Sequence, residues 1–129
     1  MEKRKVKKGQ VICRDNTRGE EMYIILSGQV WVYKTINEER ISLATMSKND
    51  FFGELCLLLG GPRTATVEAS EDVELLVINK ETLLKNIQED PQLALRMLIR
   101  LAKRLEKSNN LITSLEGEVS SLKIIYAVK

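Results

Sequence analysis

Glu54 and Arg63 stand in a stretch with no other charge, and their chemistry is the most informative feature of the sequence. The stretch is Phe51-Phe52-Gly53-Glu54-Leu55-Cys56-Leu57-Leu58-Leu59-Gly60-Gly61-Pro62-Arg63-Thr64-Ala65-Thr66, and it holds the only two charged residues from Phe51 to Val67. Leu55 to Leu59 suffices for a turn or two of helix, bounded by Gly53 before and Gly60-Gly61-Pro62 after. A short helix presents free backbone N–H groups at its start, which suit an anion. Arg63 re-enters after the loop, and its planar fork suits bidentate contact with a phosphate. The Thr64 hydroxyl and the Ala65 N–H complete such a cradle. Glu54 repels a phosphate, so its useful partner is a neutral donor such as a sugar hydroxyl. Carboxylate for hydroxyl, guanidinium and amides for phosphate, glycine for close approach: these describe a nucleotide pocket. An internal Glu54–Arg63 ion pair holding the loop explains the same residues equally well.

The rest of the composition narrows the chemistry by exclusion. The chain has 129 residues, the size of one domain, with 43% hydrophobic and 29% charged residues, as a globular protein has. It contains no histidine, which removes Ser-His-Asp and Cys-His catalysis, histidine metal sites and histidine pH switching. Two cysteines, Cys13 and Cys56, cannot form a four-cysteine zinc site. No catalytic residue, metal ligand or cofactor is therefore assigned, and a metal-dependent cupin-like barrel enzyme is set aside. Aromatic residues are only 5%, thin for stacking single-stranded nucleic acid. Twenty basic residues against eighteen acidic give a net charge of +2, too balanced for a nucleic-acid binder. Half of the basic residues fall in two runs, Lys3 to Lys8 and Arg96 to Lys107. They read as a frayed tail and a solvated helix face, so no direct nucleic-acid contact is expected. The N-terminus lacks the apolar run of a secretory signal, and no apolar stretch reaches the ~18 residues of a membrane span. A soluble protein in a reducing cytoplasm, without a membrane partner, is the expectation.

The elements that must position Glu54 and Arg63 are mostly strands. From about Gln10 to Asn79 the chain reads as short strands broken by turn signals. Met22 to Leu26 is an apolar run, Ser27-Gly28-Gln29 punctuates it, and Val30 and Val32 alternate with Trp31 and Tyr33. A polar turn, Ile36-Asn37-Glu38-Glu39, leads to Ile41 to Met46. Ala65, Val67 and Ala69 alternate with Thr64, Thr66 and Glu68, and Val73 to Ile78 is a further β-branched run. Such spacing suggests a sandwich, a barrel or a jelly roll. Asn79 is placed to cap a short helix from Lys80 to about Ile87, and Asp90-Pro91 starts a second. Leu98, Leu101, Leu105, Ser108, Ile112, Leu115, Val119, Leu122 and Tyr126 then repeat at alternating spacings of three and four, a heptad seam of about four heptads. A helix from Pro91 to Tyr126 would be ~54 Å long. A β domain this small cannot cover it, so a parallel homodimer is expected, with fraying or a bend at Gly117.

These residues resemble a known family. Phe52-Gly53-Glu54-Leu55, a short helix, then Pro62-Arg63-Thr64-Ala65-Thr66 is similar to the phosphate-binding cassette of cyclic nucleotide-binding domains. Upstream, Gly19-x-x-Met22-Tyr23-x-Ile25-x-x-Gly28 is similar to a second signature of that family. The resemblance runs from about Val6 to Leu111 and implies a mainly β fold: a jelly-roll-type β-roll with short helices and a long C-terminal dimerisation helix. It implies that Glu54 holds the ribose hydroxyl, that Gly53 makes close backbone contact with the ribose, and that Arg63 neutralises the cyclic phosphate. Amides of Cys56 and Ala65 and the Thr64 hydroxyl would bond phosphate oxygens, and Leu55 belongs to the same ligand-binding set. In family members that accept cGMP, threonine at the Thr64 position also reaches the guanine amino group. The long helix resembles the dimer helix of the catabolite-activator regulators, which places Ser108 and Asn109 against the adenine.

Departures from the family pattern are few. Asn16 stands where the family usually has glycine, and asparagine tolerates left-handed backbone. Cys56 replaces the usual alanine as a small buried residue. The sequence ends at Lys129 without the helix-turn-helix of the activator regulators, so no DNA-binding domain is expected in this chain. The expected organisation is a β-roll over residues 1–89, with the cassette at 51–66, and a long helix over 90–129. The expected function is a non-enzymatic sensor of cAMP, with cGMP open, that signals through its C-terminal helix. A nucleotide-independent dimeric interaction module and the sensor half of a transcription regulator are the alternatives.

Overall fold

The computed structural model describes residues 2–118. Eight strands and three helices follow in order: β1 (Glu2–Val6), β2 (Val11–Cys13), β3 (Glu21–Ser27), β4 (Val30–Ile36), β5 (Glu39–Met46), β6 (Phe51–Phe52), α1 (Glu54–Leu59), β7 (Thr66–Ala69), β8 (Val73–Asn79), α2 (Lys80–Glu89) and α3 (Gln92–Glu118). The strands form two antiparallel four-stranded sheets, in the orders β1-β8-β3-β6 and β2-β7-β4-β5. Their inner faces share one core. Tyr23, Ile25, Phe52, Leu75 and Val77 come from the first sheet, and Val30, Val32, Val67 and Ala69 from the second. This is the mainly β, jelly-roll-type architecture with a long C-terminal helix that the sequence implies.

Local chemistry explains where the strands turn. Gly28 takes φ 89° as the chain passes from β3 to β4, and it lies against the Asp72 carbonyl, where a side chain would collide. The β4–β5 hairpin closes through Asn37 and Glu38, both with positive φ, and Ile36 pairs with Glu39 across it. Positive φ at both central residues is the primed turn that matches strand twist. The rings of half-buried Trp31 and buried Tyr33 lie 4.3 Å apart between centroids, with the Arg40 guanidinium over both.

Three differences from the sequence reading stand out. The basic N-terminal run is not a frayed tail: Glu2–Val6 pairs with Val73–Val77 as an edge strand, held by backbone bonds rather than by burial. The strand region therefore begins well before Gln10. Thr64 and Ala65 precede β7 rather than alternating within it, and Thr66 is buried because its Oγ1 accepts from Asp15 N at 3.1 Å.

Two compact units divide after Lys85. In the first, Asn79 Oδ1 accepts from Thr82 N at 2.8 Å, the expected cap of α2. In the second, Asp90 Oδ1 accepts from Gln92 N at 3.2 Å and its other oxygen pairs with Arg96 at 3.0 Å. The helix α3 carries the second basic run and includes Gly117, so the chain stays helical through that glycine to Glu118. Of the seam, Leu98 and Leu105 are exposed. Ile112 and Leu115 fall on α3, and Val119, Leu122 and Tyr126 lie outside the described residues. No helix among the described residues is long and apolar enough to cross a membrane.

Candidate functional site

The helix α1 begins where glycine allows it. Gly53 has φ 86° and ψ 3°, a left-handed conformation that other residues reach only at a cost. A Cβ there would also lie 2.7 Å from Arg63 Nη1 and 2.9 Å from the Glu21 carbonyl oxygen. Glu54 opens the helix and is buried, in the first turn where a carboxylate suits the helix dipole. Leu57 N bonds Gly53 O at 3.3 Å and Gly60 N bonds Cys56 O at 3.0 Å, so the helix is complete within six residues. The amides of Glu54, Leu55 and Cys56 precede the first intrahelical bond. Gly60 and Gly61 both take positive φ and end the helix.

Arg63 is fixed by the turn that precedes β3. Arg63 N donates to Thr17 O at 2.7 Å, Asn16 N donates to Arg63 O at 3.0 Å, and Arg18 bridges Pro62. Asn16 holds this turn at φ 65°, and Thr17 Oγ1 donates to Arg14 O at 2.6 Å. Arg63 is buried, at 6% exposure. Its Nη1 donates to Glu21 O at 2.8 Å and, more weakly, to Gly53 O at 3.4 Å. The Tyr23 ring lies 5.7 Å from Cζ and stacks on Phe52. A cavity of about 310 Å³ adjoins the guanidinium, lined also by Cys13, Thr17, Arg18, Gly19 and Tyr23.

The electrostatics match a site withdrawn from water. Glu54 and Arg63 are the only buried charged residues among those whose side chains are described. Burial pushes the Cys13 thiol up to about 11, against the pull of the nearby Arg63 guanidinium. Burial also raises the Tyr23 phenol, with Cys13 next in effect and Arg63 again opposing. Cys13 is thus a neutral thiol near pH 7, unsuited to nucleophilic attack. Both cysteines are buried and free. Among the described residues, no group of three or more cysteines and carboxylates gathers to hold a metal.

Gly53, Glu54, Leu55 and Cys56 sit together at the start of α1, and Arg63 returns to touch the Gly53 carbonyl. Thr64 is exposed and Ala65 packs half-buried against the core. Leu55 is half exposed, while Cys56 is buried. Ser108 and Asn109 are exposed residues of α3, in the second unit. Sequence reasoning did not single out the Glu21 carbonyl, Cys13 or Gly19 as neighbours of Arg63. Gly19 and Tyr23 do stand in the upstream signature. The Glu21 contact is made by main chain, which leaves no mark on residue type.

The model of the cyclic nucleotide-binding domain matches residues 3–90. The chain belongs to the cyclic nucleotide-binding domain family. A CRP-like cAMP-activated global transcriptional regulator of Mycobacterium tuberculosis is 30% identical over 109 residues, covering 84% of this chain and 49% of the relative. The cyclic AMP receptor protein of Thermus thermophilus is 30% identical over 129 residues, covering 99% of this chain and 60% of the relative. This domain therefore spans about half the length of the curated relatives it matches. The crystal structure of the Thermus thermophilus catabolite activator protein superposes with a TM-score of 0.80 at 30% identity, over 89% of this chain and 55% of that one. The EAL enzyme Bd1971 in its cAMP-bound form gives a TM-score of 0.64 at 29% identity, over 93% of this chain and 32% of that one. Its cGMP-bound form gives 0.63 at the same identity, over 93% and 33%.

Proposed function

We propose that this chain is a non-enzymatic sensor module that binds a cyclic nucleotide, cAMP or cGMP, in the cassette. The observation that carries this reading is the placement of Arg63. The residue is buried, yet the acceptors of Nη1 are neutral main-chain carbonyls, which leave its positive charge to attract an anion. Glu54 lies at the start of the helix that the Gly53 carbonyl joins to Arg63, and it serves the ribose hydroxyl. Gly53 allows close approach to the ribose. The amides of Cys56 and Ala65 and the exposed Thr64 hydroxyl complete the phosphate contacts, with Leu55 on the same turn. Relatives solved with cAMP and with cGMP support either nucleotide. Glu54 is committed to the ribose hydroxyl and Arg63 stays protonated, so this reading has the nucleotide held without being broken.

The long helix is the output. In this reading Ser108 and Asn109 meet the base, the exposed seam on α3 pairs with a second copy, and residues 1–89 and 90–129 act as reader and transmitter. Nucleotide stabilises one helix position over another and shifts that equilibrium by its differential affinity. Two free thiols fit a reducing cytoplasm. A second reading makes the module the sensor part of a transcription regulator. It is favoured by the coverage of 49% and 60% of two regulator-type relatives.

Calorimetric titration of the chain with cAMP, cGMP and a cyclic dinucleotide, with solution mass in each state, tests the proposal. One site per chain for cAMP or cGMP is expected, on a dimer. Absence of binding to all three overturns it.

A further inference from the structure

We propose that Gly19 is a positioning residue for Arg63: its missing side chain is the flat wall against which the guanidinium lies. The inference rests on the reading of Arg63 as the phosphate partner. Five glycines of the described residues, at 9, 28, 53, 60 and 61, take positive φ, and Gly19 is not among them. Alanine at 19 therefore meets no left-handed backbone strain. What opposes it is steric. A Cβ on Gly19 falls inside the guanidinium, overlapping Nη2, Nε and Cζ together.

The Nη1 side of the cradle is closed to Arg63, so a displaced guanidinium must move into the cavity of about 310 Å³ that it lines together with Gly19. On its Nη1 side stand Gly53, where a Cβ would sit at 2.7 Å, and the Glu21 carbonyl, bonded at 2.8 Å. Main-chain bonds at 2.7 and 3.0 Å pin its backbone to Thr17 and Asn16. A methyl group at 19 must push the fork off the Glu21 carbonyl and turn its plane. Bidentate phosphate contact depends on that plane, and a binding constellation tolerates only about 0.5 Å and 10–20° of error. Gly19 thus acts on the ligand through Arg63 and touches no part of the base.

Three features follow that a merely structural glycine would not show. Gly19→Ala weakens cAMP and cGMP by the same factor, at least tenfold, because the two share the phosphate. It adds less than twofold to whatever affinity Arg63→Ala retains. It lowers the melting temperature when residue 63 is Arg and leaves it unchanged or raised when residue 63 is Ala, since alanine for glycine at an unstrained position stabilises. The experiment is a double-mutant cycle of Gly19→Ala and Arg63→Ala, read by calorimetry with cAMP and cGMP and by thermal melting of Trp31 fluorescence. Affinity within twofold of wild type in Gly19→Ala overturns the proposal. So does an equal melting cost in both backgrounds. If Gly19→Ala alone does not fold, a folded double variant supports the proposal and an unfolded one overturns it. A wild-type chain that binds neither nucleotide defeats the functional reading instead, and the melting cycle still decides the placement of Gly19.

Discussion

The β-roll and the helix α3 treat water in opposite ways. The roll buries charge, with Glu54 and Arg63 hidden between a six-residue helix and a turn. The helix exposes apolar surface: Leu95, Leu98, Ile99 and Leu105 are each exposed by 46–63%. Burying a charge is costly, so it is tolerated where a rigid frame satisfies the group and a function needs it. Exposing leucines forgoes about 1.5–3 kcal/mol apiece on full burial, so it points to a surface awaiting a partner. The contrast teaches that the roll keeps charge away from water while the helix leaves apolar side chains in it, as the proposed charged ligand of the one and apolar partner of the other require.

The largest effect should come from the roll's own core. Leu75 is fully buried between the sheets, so Leu75→Ala should cost about 3 kcal/mol. Denaturant unfolding followed by Trp31 fluorescence measures this, and a cost below about 1 kcal/mol contradicts a tightly packed roll. A comparable effect is expected from alkali. The Cys13 thiol ionises near 9 when unfolded and at about 11 when folded. The folded state thus prefers the protonated thiol. Its contribution is fully present below pH 9 and is lost as pH rises from 9 to about 11, up to about 2–3 kcal/mol. Stability measured against pH should fall more steeply across that window in wild type than in Cys13→Ala. Parallel curves would show that burial does not hold the thiol neutral. The smallest stability effect should lie on the helix. Leu98→Lys with Leu105→Lys should leave unfolding of the roll within about 0.5 kcal/mol. If the exposed seam is a dimer face, the same change halves the solution mass. An unchanged dimer would break the contrast between the two regions.

Much of this arrangement is readable from residue types, and the reasons for the rest are physical. The runs that became β3, β4 and β8 show in their apolar patterning because each buries side chains in the core, and β5 adds only the partly buried Ala44 and Met46. Asn79 and Asp90 mark helix starts because capping is a local interaction. β1 is hidden because its residues are mostly charged and only Val6 is buried. Pairing with β8, far along the chain, makes it a strand. β2 and β6, of three and two residues, are too short to display a period. Glu54 and Arg63 stand out as lone charges in an apolar stretch. The frame around Arg63 does not, because it is made of the Glu21 and Gly53 carbonyls and the bare face of Gly19. Main-chain groups and absent side chains acquire meaning only once the chain is folded.

The central claim is that Arg63 holds the phosphate of a cyclic nucleotide in the cassette. The direct measurement is calorimetric titration of wild type and Arg63→Ala with cAMP and cGMP, after circular dichroism has shown both to be folded. Losing a bidentate, charge-assisted contact worth about 3 kcal/mol should weaken binding roughly a hundredfold for both nucleotides. Equal affinity in a folded Arg63→Ala chain would contradict the account.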